Sequence, residues 1–353
     1  MIIKKLIKFI LKFIFKVLER IIPASWKQSQ REEYRKGCAM FENTLVVDGN
    51  VIKLCCHPSD IKPKEFFILD YDNKSTESFF EAINKYKQNM DILHKKWLKM
   101  KKSPCDICAY LKQGIFPAAI NIKGILFGSC FLDSNCNFRC CYCNASKILK
   151  NDGNTGNLYE TILRLSDCFD IRGITFHLCT GEILIRKDLD LILNFLYEKG
   201  ANISLTSNSS VYNERLLDFI KAGRCAGINT SLDAGTRETF AKIKGVDCFD
   251  KVVDNIFKYS EGGCRYFLKY IILDGINDNE ADINGFVDVC KKANTASVYI
   301  SANQLVRNTR LSLHAINMVI LLYGKLKENL LKIEFSSGDF NPEDMKEIYQ
   351  LIS

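Results

Sequence analysis

Residues 135–144 read Asn135-Cys136-Asn137-Phe138-Arg139-Cys140-Cys141-Tyr142-Cys143-Asn144. Cys136, Cys140 and Cys143 follow a C-x3-C-x2-C spacing, with an aromatic residue directly before the third cysteine. Three thiolates this close in sequence can hold one iron–sulfur cube and leave its fourth iron without a protein ligand. An open coordination position lets a metal site act on a bound molecule. The spacing therefore favours a catalytic cluster.

A zinc loop and part of a disulfide framework are the alternatives for this run. Structural zinc sites favour paired C-x2-C units, and three clustered cysteines cannot pair among themselves. The chain has 16 cysteines, which form no regular framework, and no cleavable secretory signal is recognised before them. We therefore expect a reducing cytosol in which thiolates bind metal.

Length and composition are typical of a globular protein with a substantial core. Of its 353 residues, 47% are apolar and 25% are charged, and this length allows two or three structural units. The net charge of +8 is unevenly distributed, because residues 1–20 carry six Lys or Arg side chains against one Glu. The rest of the chain is only +3, which is too little to indicate nucleic acid as a general partner.

Residues 2–22 have the pattern of an amphipathic helix that ends at Pro23. Lysines recur every four residues on one face, and branched apolar side chains cover the other. A lysine on every turn excludes a membrane-spanning helix, which needs about 20 mostly apolar residues. A basic amphipathic helix suits the surface of an anionic membrane, whereas the alternative is a helix packed on the protein's own core. We expect a cytoplasmic protein that is peripheral at the inner face of the membrane.

A second group of cysteines lies nearer the amino terminus, at Cys38, Cys55, Cys56, Cys105 and Cys108. The segment 44–54 predicts a hairpin with an Asp-Gly turn, which returns the adjacent pair of cysteines towards the first one. A lysine-rich helical stretch over 79–102 precedes the last two cysteines. Four ligands from this group would complete a fully coordinated cluster or a zinc site.

From residue 125 onward the chain alternates predicted strands and helices, the pattern of a parallel α/β sheet or barrel. The predicted strands are 125–132, 173–179, 202–207, 226–232, 266–273 and 297–301. The predicted helices are 158–169, 188–199, 214–222, 249–259, 280–293 and 313–330. The cysteine run follows the first strand directly, at the carboxyl end where such barrels place their chemistry.

The cysteine run resembles the signature of the radical S-adenosylmethionine (SAM) enzymes. In that family the free iron of a [4Fe–4S] cluster chelates the amino and carboxylate groups of SAM. The resemblance implies that Cys136, Cys140 and Cys143 bind the cluster and form the catalytic centre, with Tyr142 beside SAM. The six predicted strand–helix units also match the partial barrel of this family.

The segment after the second strand resembles a SAM-binding motif of the same family. Thr180-Gly181-Glu182 is similar to the Gly-Gly-Glu segment that hydrogen-bonds the methionyl ammonium of SAM. A carboxylate and a bare backbone are what such a cation needs. Thr180 replaces the first Gly of the motif, and Ile183 stands where Pro is common. The resemblance implies that Thr180, Gly181 and Glu182 bind SAM.

The third and fourth strands end in further polar segments. The run 204–208 is similar to the family's Thr-Asn-Gly segment, with Ser209 in place of Gly, and Ser-Leu-Asp ends the fourth strand at 231–233. The residues that the resemblance turns towards SAM are Thr206, Asn208, Ser231 and Asp233. Small polar residues at strand ends are also common as helix caps. Residues 271–278 are similar to the segment that lies along the adenine, so the resemblance covers about residues 119–310.

The amino-terminal cysteines resemble the SPASM and twitch auxiliary modules of this family, in which a Cys, a hairpin, another Cys and a late C-x2-C recur. Those modules usually follow the barrel, whereas this one precedes it. The resemblance implies a second [4Fe–4S] cluster, with zinc as the alternative, held by Cys38, Cys55, Cys105 and Cys108. Cys56 is the alternative to Cys55, because strand alternation puts the two on opposite faces.

These patterns predict an α/β fold, a partial (β/α)6 TIM-type barrel preceded by a small cysteine-rich α+β metal-binding domain and an amino-terminal amphipathic helix. The expected divisions are the helix (1–24), the auxiliary domain (25–118), the radical SAM core domain (119–335) and a tail (336–353).

The resemblance implies an enzyme that cleaves SAM to methionine and a 5′-deoxyadenosyl radical, which abstracts hydrogen from a substrate. A reductant such as flavodoxin or ferredoxin would supply the electron. The substrate is open between a small molecule, an envelope glycan or sugar, and a peptide. The alternative is a non-catalytic iron–sulfur or zinc protein that acts through a partner. That alternative predicts no SAM site, and the Thr-Gly-Glu and Ser-Leu-Asp segments argue against it.

Overall fold

The computed structural model describes residues 32–37, 44–54, 68–72, 75–95, 112–117, 122–127, 136–143, 157–179 and 181–352. The predicted helix over 2–22, Thr180 and all the cysteines of the amino-terminal group lie outside these residues. The chain divides into two compact units, Met1–Leu45 with Ile52–Leu69 and Glu81–Lys123, and Val46–Val51 with Asp70–Phe80 and Gly124–Ser353. In the part of the chain that the structure describes, no helix is both long and apolar enough to cross a membrane.

The first elements that the structure describes are short strands and one long helix. They are β1 (Glu32–Gly37), β2 (Thr44–Asp48), β3 (Val51–Lys53), β4 (Ile68–Asp70), α1 (Thr76–Lys95) and β5 (Lys112–Pro117). Strands β1 and β5 pair antiparallel. Strands β2 and β3 are neighbours joined through Gly49, whose φ of 63° is easy for glycine. The Tyr71 hydroxyl donates to the Gly49 carbonyl at 2.5 Å, so the predicted hairpin is confirmed.

Helix α1 has one apolar stripe. Its fully or almost fully buried side chains alternate at spacings of four and three residues, at Phe79, Ile83, Tyr86, Met90 and Leu93. This spacing keeps them on one face of a helix. Lys85 and Lys87 lie on the exposed side. The helix predicted from residue 79 therefore exists, and it begins three residues earlier.

The second unit alternates strands and helices along the chain. Its elements are β6 (Gly124–Phe127), α2 (Leu158–Cys168), β7 (Thr175–Leu178), α3 (Leu189–Glu198), β8 (Asn202–Thr206), α4 (Glu214–Lys221), β9 (Cys225–Ser231), α5 (Arg237–Lys244), α6 (Phe249–Glu261), β10 (Tyr266–Ile272), α7 (Glu280–Lys292), β11 (Ser297–Ala302), α8 (Leu313–Glu328), β12 (Ile333–Phe335) and α9 (Pro342–Ile352). Strands β12 to β6 lie side by side in the order 12-11-10-9-8-7-6, and every neighbouring pair is parallel. The predicted α/β fold and its six strand–helix units are thus confirmed.

Two elements of this unit were not predicted. Strand β12 adds a seventh parallel strand beside β11, and its three residues are all only half-buried, so its sequence lacks a buried apolar run. Helix α5 covers residues that the sequence had indicated only as the continuation of the Ser-Leu-Asp segment. Both elements are short, and short elements carry too few residues to show a period.

Side-chain caps set the starts of several helices in the second unit. Each capping side chain accepts a hydrogen bond from the backbone N–H three residues later, as in common N-caps. The caps are Asn157, Asn213, Thr236, Asn279 and Ser312. These polar residues directly follow strands or loops, so the chain turns into each helix without leaving its first N–H groups unpaired.

The parallel strands of the second unit present one apolar face and one polar face. In β7, Phe176 and Leu178 are fully buried, whereas His177 between them is half-buried, as the period-two alternation of a strand requires. The register carries this alternation across the sheet, because His177 lies opposite Ser204 of β8. The same polar face continues through Asn229, Ser231, Lys269 and Tyr299. The sheet therefore offers a polar surface next to the carboxyl ends of its strands.

Two helical glycines give opposite predictions for the same substitution. A Cβ on Gly285 of α7 would overlap the backbone carbonyl of Gly235, whereas a Cβ on Gly324 of α8 would meet nothing within 4 Å. We expect Gly285→Ala to lower the free energy of unfolding by about 1–3 kcal/mol through overpacking. Gly324→Ala should raise it by about 0.5–1 kcal/mol, because alanine favours a helix. Denaturant unfolding of both variants measures the difference, and equal effects would contradict the close approach of Gly235 and Gly285.

Candidate functional site

The cysteine loop is fastened to the end of helix α5. The Arg139 N–H donates to the Lys244 carbonyl at 2.8 Å, and the Cys141 N–H donates to the Ile243 carbonyl at 2.9 Å. The Phe138 ring is 5% exposed and lies edge-on to Phe240, with 5.9 Å between the ring centroids. These contacts hold the loop by its backbone as well as by an aromatic anchor.

The loop places the three predicted cysteines within electrostatic reach of one another. Cys136 and Cys140 are half-buried, and Cys143 is exposed. Burial raises the pKa of Cys140 to about 11 and also raises the pKa of Cys136, and a nearby Cys143 thiolate contributes to both shifts. Among the described residues, no three Cys, His, Asp or Glu side chains are arranged to hold a single metal ion. A cube is bound differently, because each thiolate binds a separate iron and must first lose its proton.

Glu182 lies at the carboxyl end of β7 with its carboxylate fixed by protein donors. Its side chain is 1% exposed. Oε1 accepts from the Leu184 N–H at 3.0 Å and the Ser207 hydroxyl at 2.7 Å, and Oε2 accepts from the Asn208 N–H at 2.6 Å. Burial raises the pKa of Glu182, although these hydrogen bonds oppose the shift. Because each carboxylate oxygen accepts about two hydrogen bonds, Oε2 keeps one acceptor position for a further donor.

Asn208 connects this carboxylate to the cysteine loop. While its backbone N–H binds Glu182, its amide group donates to the Asn137 side chain at 2.9 Å and lies 3.9 Å from the Cys136 sulfur. The Asn137 amide in turn donates to the Ser210 hydroxyl at 2.8 Å. One residue at the end of β8 therefore sets the distance between Glu182 and the first cysteine.

Asp233 is engaged in a buried ion pair. It is 0% exposed, and its Oδ2 accepts from Lys244 Nζ and from the Tyr142 hydroxyl, each at 2.5 Å. Its Oδ1 accepts from the Ile271 N–H at 2.8 Å. Both oxygens accept hydrogen bonds from protein donors, and a contact between the Asp233 carboxylate and SAM stays a prediction. The Tyr142 hydroxyl likewise points to this pair, and burial together with Asp233 raises the pKa of Tyr142.

The remaining predicted residues are placed in different ways. Gly181 is exposed with a φ of 52°, a conformation that suits glycine. Thr206 is also exposed, and it lies on the opposite strand face from Ser207. Ser231 is half-buried, and its carbonyl accepts from Lys244 Nζ at 2.6 Å. Of the predicted SAM contacts, Asn208 and Asp233 each bond directly to a side chain of the cysteine loop, whereas Glu182 is connected to the loop through Asn208.

Sequence reasoning missed Ser207, Ser209 and Lys244. Strand alternation puts Ser207 on the buried side, which was the available signal for its bond to Glu182. Lys244 follows Phe240 by four residues and so shares its buried helix face. Ser209 has a φ of 58°, and its hydroxyl lies 2.8 Å from the Thr230 hydroxyl. This buried contact explains how serine occupies a left-handed position where the family has glycine.

The polar face of the sheet adds two titratable groups near these strand ends. His177 Nδ1 lies 2.8 Å from the Ser204 hydroxyl, and burial lowers the pKa of His177. Cys179 donates from its thiol to the Phe127 carbonyl at 3.2 Å, and burial raises the pKa of Cys179 to about 11. At neutral pH the imidazole is therefore neutral and the thiol is protonated.

The sequence is similar to those of known proteins that belong to one superfamily. Residues 134–289 match the model of the radical SAM superfamily. The chain is 29% identical over 187 residues to the GTP 3',8-cyclase of Nautilia profundicola, covering 50% of this chain and 55% of that protein. It is 30% identical over 160 residues to the GTP 3',8-cyclase of Aliarcobacter butzleri, covering 44% of this chain and 49% of that protein. The chain thus spans about half the length of the curated relatives it matches.

A solved structure with a similar backbone is that of Streptococcus suis SuiB bound to S-adenosylmethionine. The TM-score is 0.47 at 11% sequence identity, and the match covers 74% of this chain and 56% of that chain. The family match includes the cysteine loop, Glu182, Asn208 and Asp233. Residues 134–289 of this chain are a radical SAM domain.

Proposed function

We propose that this chain is a radical SAM enzyme whose cluster is bound by Cys136, Cys140 and Cys143. The superfamily uses a [4Fe–4S] cluster and SAM. When bound, this pair of cofactors supplies a 5′-deoxyadenosyl radical, formed with methionine by one-electron cleavage of SAM, which abstracts hydrogen from a substrate. A reductant such as flavodoxin or ferredoxin would provide the electron.

The proposal rests chiefly on the bridge that Asn208 makes between Glu182 and the cysteine loop. A carboxylate with one open acceptor position on Oε2 suits the ammonium of SAM, which is a charged donor. Gly181 has no Cβ to block the approach of that group. Asn208 fixes the carboxylate and lies within 3.9 Å of the Cys136 sulfur. The carboxylate and the first cysteine are therefore connected through one residue, by the backbone N–H and the side-chain amide of Asn208.

The decisive experiment is anaerobic reconstitution of the full-length protein with iron and sulfide, followed by dithionite and SAM. We expect about four iron and four sulfide per bound cube and formation of 5′-deoxyadenosine. Metal without 5′-deoxyadenosine would favour the alternative of a non-catalytic iron–sulfur or zinc protein.

We further propose that the substrate binds on the polar face of the sheet, where His177 and Ser204 form a hydrogen-bonded pair. The curated relatives are named for GTP, but their similarity covers only about half of their length. GTP is therefore one candidate substrate. The others are the sugars, glycans and peptides that the predicted helix over residues 2–22 and the amino-terminal cysteines favour. Each candidate can be added to the reconstituted enzyme, and the substrate is the one that is consumed in step with 5′-deoxyadenosine formation.

The amino-terminal cysteines are proposed to hold a second metal through Cys38, Cys55, Cys105 and Cys108. All four lie outside the described residues, so the proposal rests on their spacing and on the resemblance to the auxiliary modules. A triple alanine variant at the radical SAM cysteines isolates this site. Four iron and four sulfide left in that variant would identify a second cube, and one zinc without sulfide would identify a structural zinc site.

Residues 2–22 are proposed to contact an anionic membrane surface. Deletion of residues 1–22 should abolish binding to vesicles of anionic lipid while leaving SAM cleavage intact, because the radical SAM domain begins far downstream. Binding of the full-length protein should weaken as salt rises, since the lysines act through charge. Aggregation of the truncated protein would show instead that the helix covers the protein's own core.

A further inference from the structure

Lys244 is a buried lysine with a complete set of acceptors. Its side chain is 2% exposed. Its ammonium donates to Asp233 Oδ2 at 2.5 Å, to the Ser231 carbonyl at 2.6 Å and to the Tyr142 hydroxyl at 2.7 Å. These three acceptors match the three N–H donors of a lysine. The charge is therefore satisfied without solvent.

A buried ion pair of this kind is a poor device for stability alone. Desolvation of two charges offsets much of their attraction, and apolar side chains of similar size often do as well or better. The presence of this ion pair is better explained by the group that both of its members bind. Here both of its members bind the same hydroxyl, that of Tyr142, which is one residue before Cys143 and two after Cys140.

The Tyr142 hydroxyl is fixed from two directions. It donates to Asp233 Oδ2 and accepts from Lys244 Nζ, and Nζ also lies 5.1 Å from the centroid of the Tyr142 ring. A hydroxyl that both donates and accepts has no remaining freedom to rotate without breaking a bond to a charged group. The side chain between two of the predicted cluster ligands is thus tied to groups outside the loop.

The anchor itself is rigid. Asp233 has a φ of 61°, a conformation that a non-glycine residue keeps only where its surroundings hold it. Its Oδ1 accepts from the Ile271 N–H at 2.8 Å, and its carbonyl accepts from the Asn277 amide at 2.7 Å. Lys244 is the last residue of α5, the helix end to which the loop backbone is already bound. The tyrosine is therefore connected to β10 and to α5 at once.

We infer that Lys244 is a positioning residue for the cluster. It holds the Tyr142 side chain in place, and Tyr142 in turn fixes the spacing between Cys140 and Cys143. This inference rests on the proposed function. It assigns Asp233 to the same task, since its carboxylate binds the lysine ammonium at 2.5 Å and keeps it in place. We therefore expect the cluster to become labile when the hydrogen bonds of the Tyr142 hydroxyl to Lys244 and Asp233 are removed, even where the fold is unchanged.

The test uses three full-length variants, reconstituted anaerobically with iron and sulfide. Tyr142→Phe removes one hydroxyl and leaves the ion pair between Lys244 and Asp233 in place. Lys244→Met removes the charge, and Lys242→Met, at an exposed lysine two residues earlier on α5, is the matched control. The measurements are the rate of iron release to a chelator, the EPR spectrum of the reduced cluster, and the melting temperature before reconstitution.

We expect Tyr142→Phe and Lys244→Met to release iron about tenfold faster or more, the factor for one lost hydrogen bond to a charged group. The EPR spectrum of Tyr142→Phe should change while its melting temperature stays at the wild-type value. Lys242→Met should match the wild type in every measurement. Where Lys244→Met fails to fold, Tyr142→Phe decides the question by itself.

Two results overturn the inference alone. One is wild-type iron release and EPR from Tyr142→Phe in a protein whose wild type holds its cluster. The other is faster release accompanied by an equal loss of thermal stability before reconstitution, which would make the hydroxyl a structural contact only. A wild type that binds no iron and sulfide overturns the proposed function instead, and the inference falls with it.

Discussion

Replacing Cys140 with alanine should abolish SAM cleavage. The three thiols of the loop are the minimum that can hold a cube while leaving one iron open, so the loss of one removes the cluster or leaves it labile. Even residues that only support metal ligands change affinity by about ten- to a hundredfold. We therefore expect formation of 5′-deoxyadenosine to fall by at least about a hundredfold, together with loss of the EPR signal of the reduced cluster.

The neighbouring residue provides a matched control for this experiment. Cys141 is exposed, and the contact that it makes to the Ile243 carbonyl comes from its backbone N–H. Alanine keeps that N–H, so Cys141→Ala should retain the cluster, the EPR signal and SAM cleavage. If Cys141→Ala lost the cluster and Cys140→Ala retained it, the assignment of ligands within the run would be wrong.

Much of the fold was predictable because it follows from local periodicity. The strands of the parallel sheet are runs of apolar and β-branched residues bounded by turn signals, and all six predicted strands exist. The hairpin at Gly49 was readable from its Asp-Gly pair. Strand β12 was not, because its three residues are half-buried at the far end of the sheet and give no apolar run.

The site was predictable in its components and less so in its connections. The cysteine spacing and the Gly-Glu pair are short-range patterns. The contacts of Asp233 are not, since its partners Tyr142, Lys244 and Ile271 come from three different segments of the chain. A carboxylate at a strand end is compatible with either a ligand contact or an internal ion pair. Only the folded structure shows that this one is buried beside a lysine.

Departures from the family pattern can also be judged only in the structure. Ser209 replaces a glycine, yet its side chain is 0% exposed, and its hydroxyl lies close to those of Thr230 and Tyr266, at 2.8 and 3.2 Å. The hydrogen bonds offset part of the cost of its left-handed backbone. The substitution therefore preserves the turn that places Asn208 against Glu182.

Glu182→Gln should leave the cluster in place but weaken SAM binding by about ten- to a hundredfold, the effect of one lost charge-assisted hydrogen bond. The amide is nearly the same size as the carboxylate. Its oxygen can replace Oε1, which accepts from Leu184 and Ser207, but its NH2 group then stands at the Oε2 position. There it faces the Asn208 N–H and an incoming ammonium, both of which are donors.

Ser207→Ala is the control that distinguishes the effect of the Glu182 charge from the effect of the hydrogen bonds around it. This variant removes one donor to Oε1 and leaves the carboxylate charge and the open position on Oε2. It should bind SAM within about threefold of the wild type, a change smaller than that of one neutral hydrogen bond. Equilibrium dialysis with SAM against each reconstituted variant, with iron content measured in parallel, gives the comparison. Normal SAM affinity in Glu182→Gln would mean that Oε2 does not bind the ammonium of SAM. In that variant the negative charge is lost while the size of the side chain is nearly unchanged.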